Sequence, residues 1–456
     1  MEAPPPATPK PESPAEPQPG EDPARAEGYV WIGPDGGPAP PPWSEVIPPS
    51  RYHAHRRRFR RYRGLRATVR RAVLAGGVVA LVVLTLSEEA GDRHQITQHL
   101  RSEGSSTGDE AVAAGQQASE AGASSRRRLR LERRIGGEIS PKSVMASGTG
   151  LVFAQNMLYR HTVTVYGRDH RLVKTIPDSV ELAKVGFPEY SGTYRGGPVE
   201  AAFSPDGRYG YVSNYRMSGP DFDNPGDDVC SPSQGLDRSF LYRIPLSTLA
   251  VDKAIRVGSV PKYVAVTPDN RLVLASNWCS WDLSVIDAPS GRSLRSVPIG
   301  AYPRGIAVDP DSETAYVAVM GSSDVARVDL SDSSVSWIRG VGAAPRDLVM
   351  GSRGRYLYAT LNSGGGVAKV DLRRRRVVET VRTGMAPRSA AIASDGRSLY
   401  VVNYLSNTVS KVRTRDMNVV QTVKTDKRPI GVTYDAETGE VWVACYSGSI
   451  MVFRDA

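Results

Sequence analysis

Residues 344–387 read APRDLVMGSRGRYLYATLNSGGGVAKVDLRRRRVVETVRTGMAP and hold one complete period of a repeat. Pro345 opens a short apolar run, and Ser352-Arg353-Gly354 supplies a turn. Tyr356-Leu357-Tyr358-Ala359-Thr360 then reads as a second strand. Glycines 364–366 precede a third strand, Val367-Ala368-Lys369-Val370-Asp371, and Val377-Val378-Glu379-Thr380-Val381 gives a fourth. Alternating apolar and polar residues, enriched in β-branched types and bounded by Gly, Ser and Asp, carry the strand signal. Turns of the same kind recur at Ser204-Pro205-Asp206-Gly207 and Ser394-Asp395-Gly396, with glycine at the position that needs positive φ.

The period extends across the C-terminal three-quarters of the chain. Prolines that open the first strand stand at 141, 198, 261, 303, 345, 387 and 429. The last five are 42 residues apart, and the first two intervals, 57 and 63, are the same period carrying insertions of 15 and 21. Seven repeats of four short strands predict an all-β fold, a seven-bladed β-propeller over residues 126–456. The seventh repeat ends after its third strand at Val452-Phe453. Its missing outer strand is supplied by residues 128–137, where Leu131 and Ile135 precede Pro141 as Val377 and Val381 precede Pro387. An N-terminal strand therefore closes the last blade and removes an open sheet edge.

These repeats resemble the YVTN-repeat β-propellers. The resemblance rests on Tyr400-Val401-Val402-Asn403 followed by Asn407-Thr408-Val409-Ser410-Lys411-Val412. Leu274-Ala275-Ser276-Asn277 followed by Leu283-Ser284-Val285-Ile286-Asp287 repeats it. It covers about residues 128–456 and departs from the pattern at Val319 and Cys445, which replace the repeat Asn. It implies the propeller fold. Propellers of this kind serve as surface-layer proteins and ligand-binding modules, and others are relatives of lactonases and antibiotic lyases, so it leaves function open.

The first 125 residues are of another character. Residues 1–50 hold 16 of the 34 prolines and net −6, a composition that predicts a disordered, partly polyproline-II cytoplasmic tail. Tyr29, Trp31 and Trp43 interrupt it. Residues 51–71 carry ten Arg and no acid, and Ala72-Val73-Leu74 begins an apolar run that ends near Ser87. Such a run is short for a hydrocarbon core about 30 Å thick, but flanking Arg70 and Arg71 can snorkel. Residues 72–87 are therefore expected to be one transmembrane helix, with the N-terminus cytoplasmic and the propeller outside. Against an apolar run the Arg-rich segment reads as a lipid-facing flank, and no nucleic acid is expected as partner. Residues 88–125, rich in Ser, Gly, Ala, Gln and acids, read as a flexible linker. Ten Lys against 48 Arg accord with a GC-rich, bacterial source.

Candidate site residues follow from the repeat. The residue after the opening Pro is Lys142, Lys262, Arg304, Arg346 or Arg388 in five blades, with Arg428 nearby. Seven-fold geometry brings these toward one rim, where they would focus positive potential on an anion or pair with neighbouring carboxylates. After the Asn position come Tyr215, Trp278, Tyr404 and Tyr446, aromatic faces suited to sugars or to packing between blades. The insertions, near 179–194 and 216–238, lie on that same face and are read as a binding surface. The second contains Asp221, Asp223, Asp227 and Asp228 around a Gly, oxygen donors in the style of a Ca²⁺ site without an established spacing. Cys230 and Cys279 fall in matching loops of adjacent blades and are expected to form a disulfide, whereas Cys445 reads as a buried small hydrophobe. The chain contains no CxxCH, which argues against covalently attached haem. His161 and His170 form no evident catalytic set.

The expected role is a binding module displayed outside the membrane, leaning away from catalysis. Its partner would be an envelope protein, glycan or anionic polymer. A tethered hydrolase or lyase and a scaffold joined to the Pro-rich tail are the alternatives.

Overall fold

Each period folds into one antiparallel sheet because its four strands are short, adjacent in sequence and joined by tight turns. The computed structural model describes residues 122–158 and 160–456. In it, seven four-stranded sheets succeed one another along the chain. Blade five comprises Pro345–Met350, Tyr356–Leu361, Gly366–Asp371 and Arg376–Arg382, each paired to the next. The strand expectations for this repeat hold to within two residues.

The blades stack face to face, and their second and third strands bury both faces. Between blades three and four, Leu274, Val285, Val317 and Val328 lie in one cluster, each fully buried. Every such side chain contributes about 1.5–3 kcal/mol relative to exposure. The fourth strand is the rim and is half solvated: the odd residues of Val377–Val381 are half-buried, and Val378 is 40% exposed. Where the repeat Asn is kept it staples the second strand to the third. Asn403 Nδ2 donates to Thr408 and Ser410 at 3.1 and 3.0 Å, and Asn277 Nδ2 donates to Asp282 and Ser284 at 2.6 and 2.8 Å.

The ring closes as expected. Leu129–Ile135 pairs antiparallel with Ser449–Asp455, with Leu131 opposite Phe453 and Ile135 opposite Ile450. The linker's end is ordered rather than loose: Ser124–Arg126 forms a 3-10 turn, and the Ser124 hydroxyl and amide donate to Asp395 at 2.7 and 2.8 Å. Otherwise the tail, the Arg-rich segment, the apolar run 72–87 and residues 88–121 lie outside the described residues. Among the described residues no helix is long and apolar enough to cross a membrane.

The first strand of every blade carries an irregularity just after its Pro, as between Pro261 and Tyr263 or Pro345 and Leu348. Proline suits this place because it opens the strand without a donor to give. Bulges re-aim side chains, and here two successive residues reach the axis of the ring. The residue before the Pro is left-handed in five blades, at Val260, Tyr302, Ala344, Ala386 and Arg428 (φ 50–60°).

Candidate functional site

The seven first strands stand in a closed circle, each against its two neighbours. Residues just after each Pro therefore meet in the middle, at the face that also carries the insertions. The expected cations are there, and they are largely shielded: Lys262, Arg304 and Arg346 are 3, 7 and 6% exposed. Burial lowers the pKa of Arg304, and lowers that of Arg346 further because Arg304 and Arg388 add their repulsion. Arg346 also donates to the carbonyl of Arg388.

The predicted aromatics lie under these cations. Lys262 Nζ is 4.1 Å from the Tyr215 ring centre and 5.3 Å from that of Trp278. Arg388 lies 3.8 Å over Tyr404, with Arg428 at 5.7 Å, and Lys142 lies 4.9 Å over Tyr446. The rings thus hold the chain's own cations in place, and each desolvated contact contributes on the order of 2 kcal/mol.

One position further along each strand the circle contains groups that the sequence reading did not single out. Glu200, Tyr263 and Asp347 converge there from blades two, three and five. Glu200 lies deep among protein groups and keeps partial solvent exposure. Burial and the charge of Asp347 raise its pKa to about 8, against the pull of Ser143, Arg304 and Arg346. Burial also raises Asp347, although its carboxylate accepts bonds from the Ser389 hydroxyl at 2.9 Å and the Ala390 amide at 3.0 Å. The Tyr263 phenol interacts with Asp347 and crosses the channel between their blades. Its far side lines a cavity of about 530 Å³, walled by Met145, Ala202, Phe203, Val266 and Ile306, at the opposite end of the same channel.

The insertions pack on one another, as their shared face required. Ser179–Val180 pairs with Tyr194–Arg195, and Arg195 bridges to Ser218. Phe187, Tyr190, Tyr194 and Phe222 form an aromatic cluster on Phe240, with Tyr190 stacked on Phe222 at 5.6 Å. The second insertion is pinned by the Cys230–Cys279 disulfide, Cα–Cα 5.3 Å, as the matching loops led us to expect. Cys445 is fully buried, and burial pushes its thiol up to about 12.

The calcium expectation does not hold. Among the described residues no group of three or more His, Cys, Asp or Glu is placed to hold a metal ion. The loop's carboxylates are spread apart by other partners. Asp228 takes Lys262 and the Tyr215 hydroxyl, and Asp227 accepts the Val229 amide at 2.7 Å. Asp221 accepts from Tyr194 at 3.4 Å, and Asp223 is exposed. The cation of blade three claims the carboxylate that a metal would need.

Residues 317–441, from the second strand of blade four to that of blade seven, match the cytochrome D1 heme domain family. No curated protein matches the sequence. Among solved structures the chain is similar to Kuenenia stuttgartiensis hydrazine synthase, at 18% identity and TM-score 0.55, over 71% of this chain and 97% of that one. It is likewise similar to the WD40 β-propeller domain of Doa1, at 12% identity and TM-score 0.55, over 72% and 98%. These likenesses establish the fold, a seven-bladed β-propeller, in agreement with the repeat.

The family match raises haem, which needs an axial His, Met, Cys or Tyr aimed into an open pocket. Among the described residues, the histidines, the free cysteine and the Met and Tyr of the channel cavity do not fit it. His161 is held by Asp178 at 3.3 Å, and His170 by Glu440 at 3.1 Å. Around the channel cavity, the Met145 sulfur takes the Thr433 hydroxyl at 3.6 Å and the Tyr263 phenol engages Asp347. Cys445 is inside a blade core.

Proposed function

We propose that this seven-bladed β-propeller is a binding module that takes an anionic ligand at the insertion-bearing mouth of its channel, without turning it over. The observation that carries this reading is the excess of cations there. Arg304, Arg346 and Arg388 lie close enough to repel one another beside Glu200 and Asp347, and Glu200 is held protonated below about pH 8. Cations gathered in a low-dielectric funnel draw an anion strongly. The net +11 of residues 126–456 adds long-range attraction for envelope polymers, acidic glycans among them.

We further propose that the module stands outside the cell, tethered through residues 72–87. The Cys230–Cys279 disulfide supports an oxidising compartment. The test is binding of an acidic polysaccharide, polygalacturonate, at about 50 and 500 mM salt, which changes the Debye length roughly three-fold. Affinity should drop at high salt and in Arg346→Gln. Equal affinity at both salts would remove the reading.

One observation favours a second reading, a hydrolase or lyase. Glu200 and Asp347 form a carboxylate couple of perturbed pKa in a channel, as a general acid and base require. Turnover of any bound anion, abolished in Glu200→Gln, would establish it over simple binding.

A further inference from the structure

We infer that the sector of the mouth between blades five and six is a subsite for a hydroxylated carboxylate, such as a sugar acid, with Asn362 and Arg388 as its recognition groups. This rests on the anion-binding reading above and gives it a place and a ligand class.

The placement follows from the repeat. In blades two to seven the residue after the second strand donates its amide to the carbonyl just before the opening Pro. Tyr215 donates to Gly197, Trp278 to Val260, Met320 to Tyr302, Asn362 to Ala344, Tyr404 to Ala386 and Tyr446 to Arg428. Asn362 thus occupies in blade five the place that an aromatic holds in four other blades. The cation of the next blade reaches back to that place: Lys262 to Tyr215 at 4.1 Å, and Lys142 to Tyr446 at 4.9 Å. By analogy with that step we place Asn362 on the blade-five side of Arg388, whose guanidinium lies 3.8 Å over Tyr404 of its own blade.

What marks this sector is unmet hydrogen bonding. Asn362 is 1% exposed, and neither its amide nitrogen nor its amide oxygen has a partner. Arg388 Nε is likewise buried without one. Repeat asparagines Asn214, Asn277 and Asn403 each leave only the oxygen unpaired, because their nitrogens staple the blade. Asn362 staples nothing. A buried amide left this way costs folding free energy, so it is expected to serve a ligand. On the loop side it is followed by Ser363-Gly364-Gly365, a run of small residues.

The donor set defines the class. Arg388 Nε and Asn362 Nδ2 are both unsatisfied donors, which together suit an oxyanion. Asn362 Oδ1 can only accept, so the ligand must also bring a donor close to that oxyanion. A carboxylate with a neighbouring hydroxyl has both, whereas a bare anion or a neutral sugar has one.

The test uses the full chain in detergent and titrates D-galacturonate, acetate and D-galactose by calorimetry, with melting followed in parallel. Wild type should bind galacturonate over the other two. Asn362→Leu should weaken galacturonate by about 10–100-fold, the range for a lost bond to a charged group, while melting stays level or rises. Arg388→Gln should weaken it similarly and serves should Asn362→Leu fold poorly. Unchanged galacturonate affinity in both variants overturns this subsite while leaving anion binding intact. A lowered melting temperature in Asn362→Leu with unaltered selectivity assigns Asn362 to the framework and overturns it too. Absence of binding by any acid, polymeric or monomeric, fails the parent reading instead.

Discussion

Lys411 and Asp455 form an ion pair from which water is excluded, both side chains being 0% exposed. Lys411 also donates to the Arg127 carbonyl at 2.9 Å, and the Tyr400 hydroxyl donates to Asp455 at 2.6 Å. Blade six, the last strand and the chain entering the closing strand meet at this one point. Burial lowers the Lys411 pKa against the opposing pull of Asp455, so desolvation is the larger effect. Asp455→Ala should destabilise by about 3–5 kcal/mol, because it strands a buried ammonium. A Lys411→Met, Asp455→Leu double variant should recover most of that loss. Denaturant unfolding of the three proteins checks it. A double variant as unstable as the single one would show that the pair contributes more than mutual neutralisation.

Gly305 has a narrower task. A Cβ there would stand 2.7 Å from the Asp347 Cα and 2.8 Å from the Arg346 carbonyl oxygen. Backbone, unlike a side-chain tip, has little freedom to give way. Gly305→Ala should force blades four and five apart and destabilise by about 1–3 kcal/mol. It should also weaken anion binding, since Arg346 and Asp347 move with the strand. Gly137→Ala, where nothing lies within 4 Å but φ is +95°, is the comparison that isolates backbone strain. Equal losses in binding from both would refute the steric account.

Much of this was legible in the sequence, for a physical reason. A 42-residue period fixes the blade, and an unfinished last repeat demands a closing strand, so the places of Leu131 and Ile135 follow from the repeat alone. The cation ring was legible because it falls one residue after a marked Pro. Glu200, Tyr263 and Asp347 were not, because a strand turns successive side chains to opposite faces. Only the irregularity after each Pro brings the second residue inward as well. Asp228 misled in the opposite sense. Four carboxylates in one loop resemble a metal site until the cation that takes one of them, Lys262, is placed in space. Asn362 carries no sequence signal beyond standing where other repeats have an aromatic.

The Cys230–Cys279 disulfide should matter locally rather than globally. It closes a span of 49 residues and fixes the insertion that brings Asp228 to Lys262, but no blade strand depends on it. The Trp278 indole donating to the Asp228 carbonyl at 3.0 Å is a second tie. Replacing both cysteines by serine should leave the blades' cooperative unfolding in place while residues 216–238 become the first site of protease cleavage within the propeller. The local loss should be about 2–4 kcal/mol. Cleavage elsewhere in the propeller first would mean that the insertion is held by its aromatic cluster instead.

Glu200 gives the sharpest pH signature. Its folded pKa, about 8, lies above the ordinary carboxylate value of 4.5, chiefly because of burial. Below 4.5 both folded and unfolded chains hold the proton, and the full stability is present. Between 4.5 and about 8 the folded chain keeps a proton that the unfolded chain has released. Stability therefore falls as pH rises across that window and levels off once Glu200 ionises in place. Glu200→Gln should flatten this slope, so that the variant is more stable than wild type at pH 9 and similar to it near pH 4.5. Asp347, raised by burial too, adds slope in the same direction at the acid end. Anion affinity should follow the same titration, since an ionised Glu200 cancels charge on Arg304 and Arg346. Polygalacturonate binding should therefore weaken through about pH 8 in wild type and stay level in the variant. A wild-type curve flat from pH 6 to 9 would show that Glu200 does not titrate in that range and would remove its protonation from the binding reading.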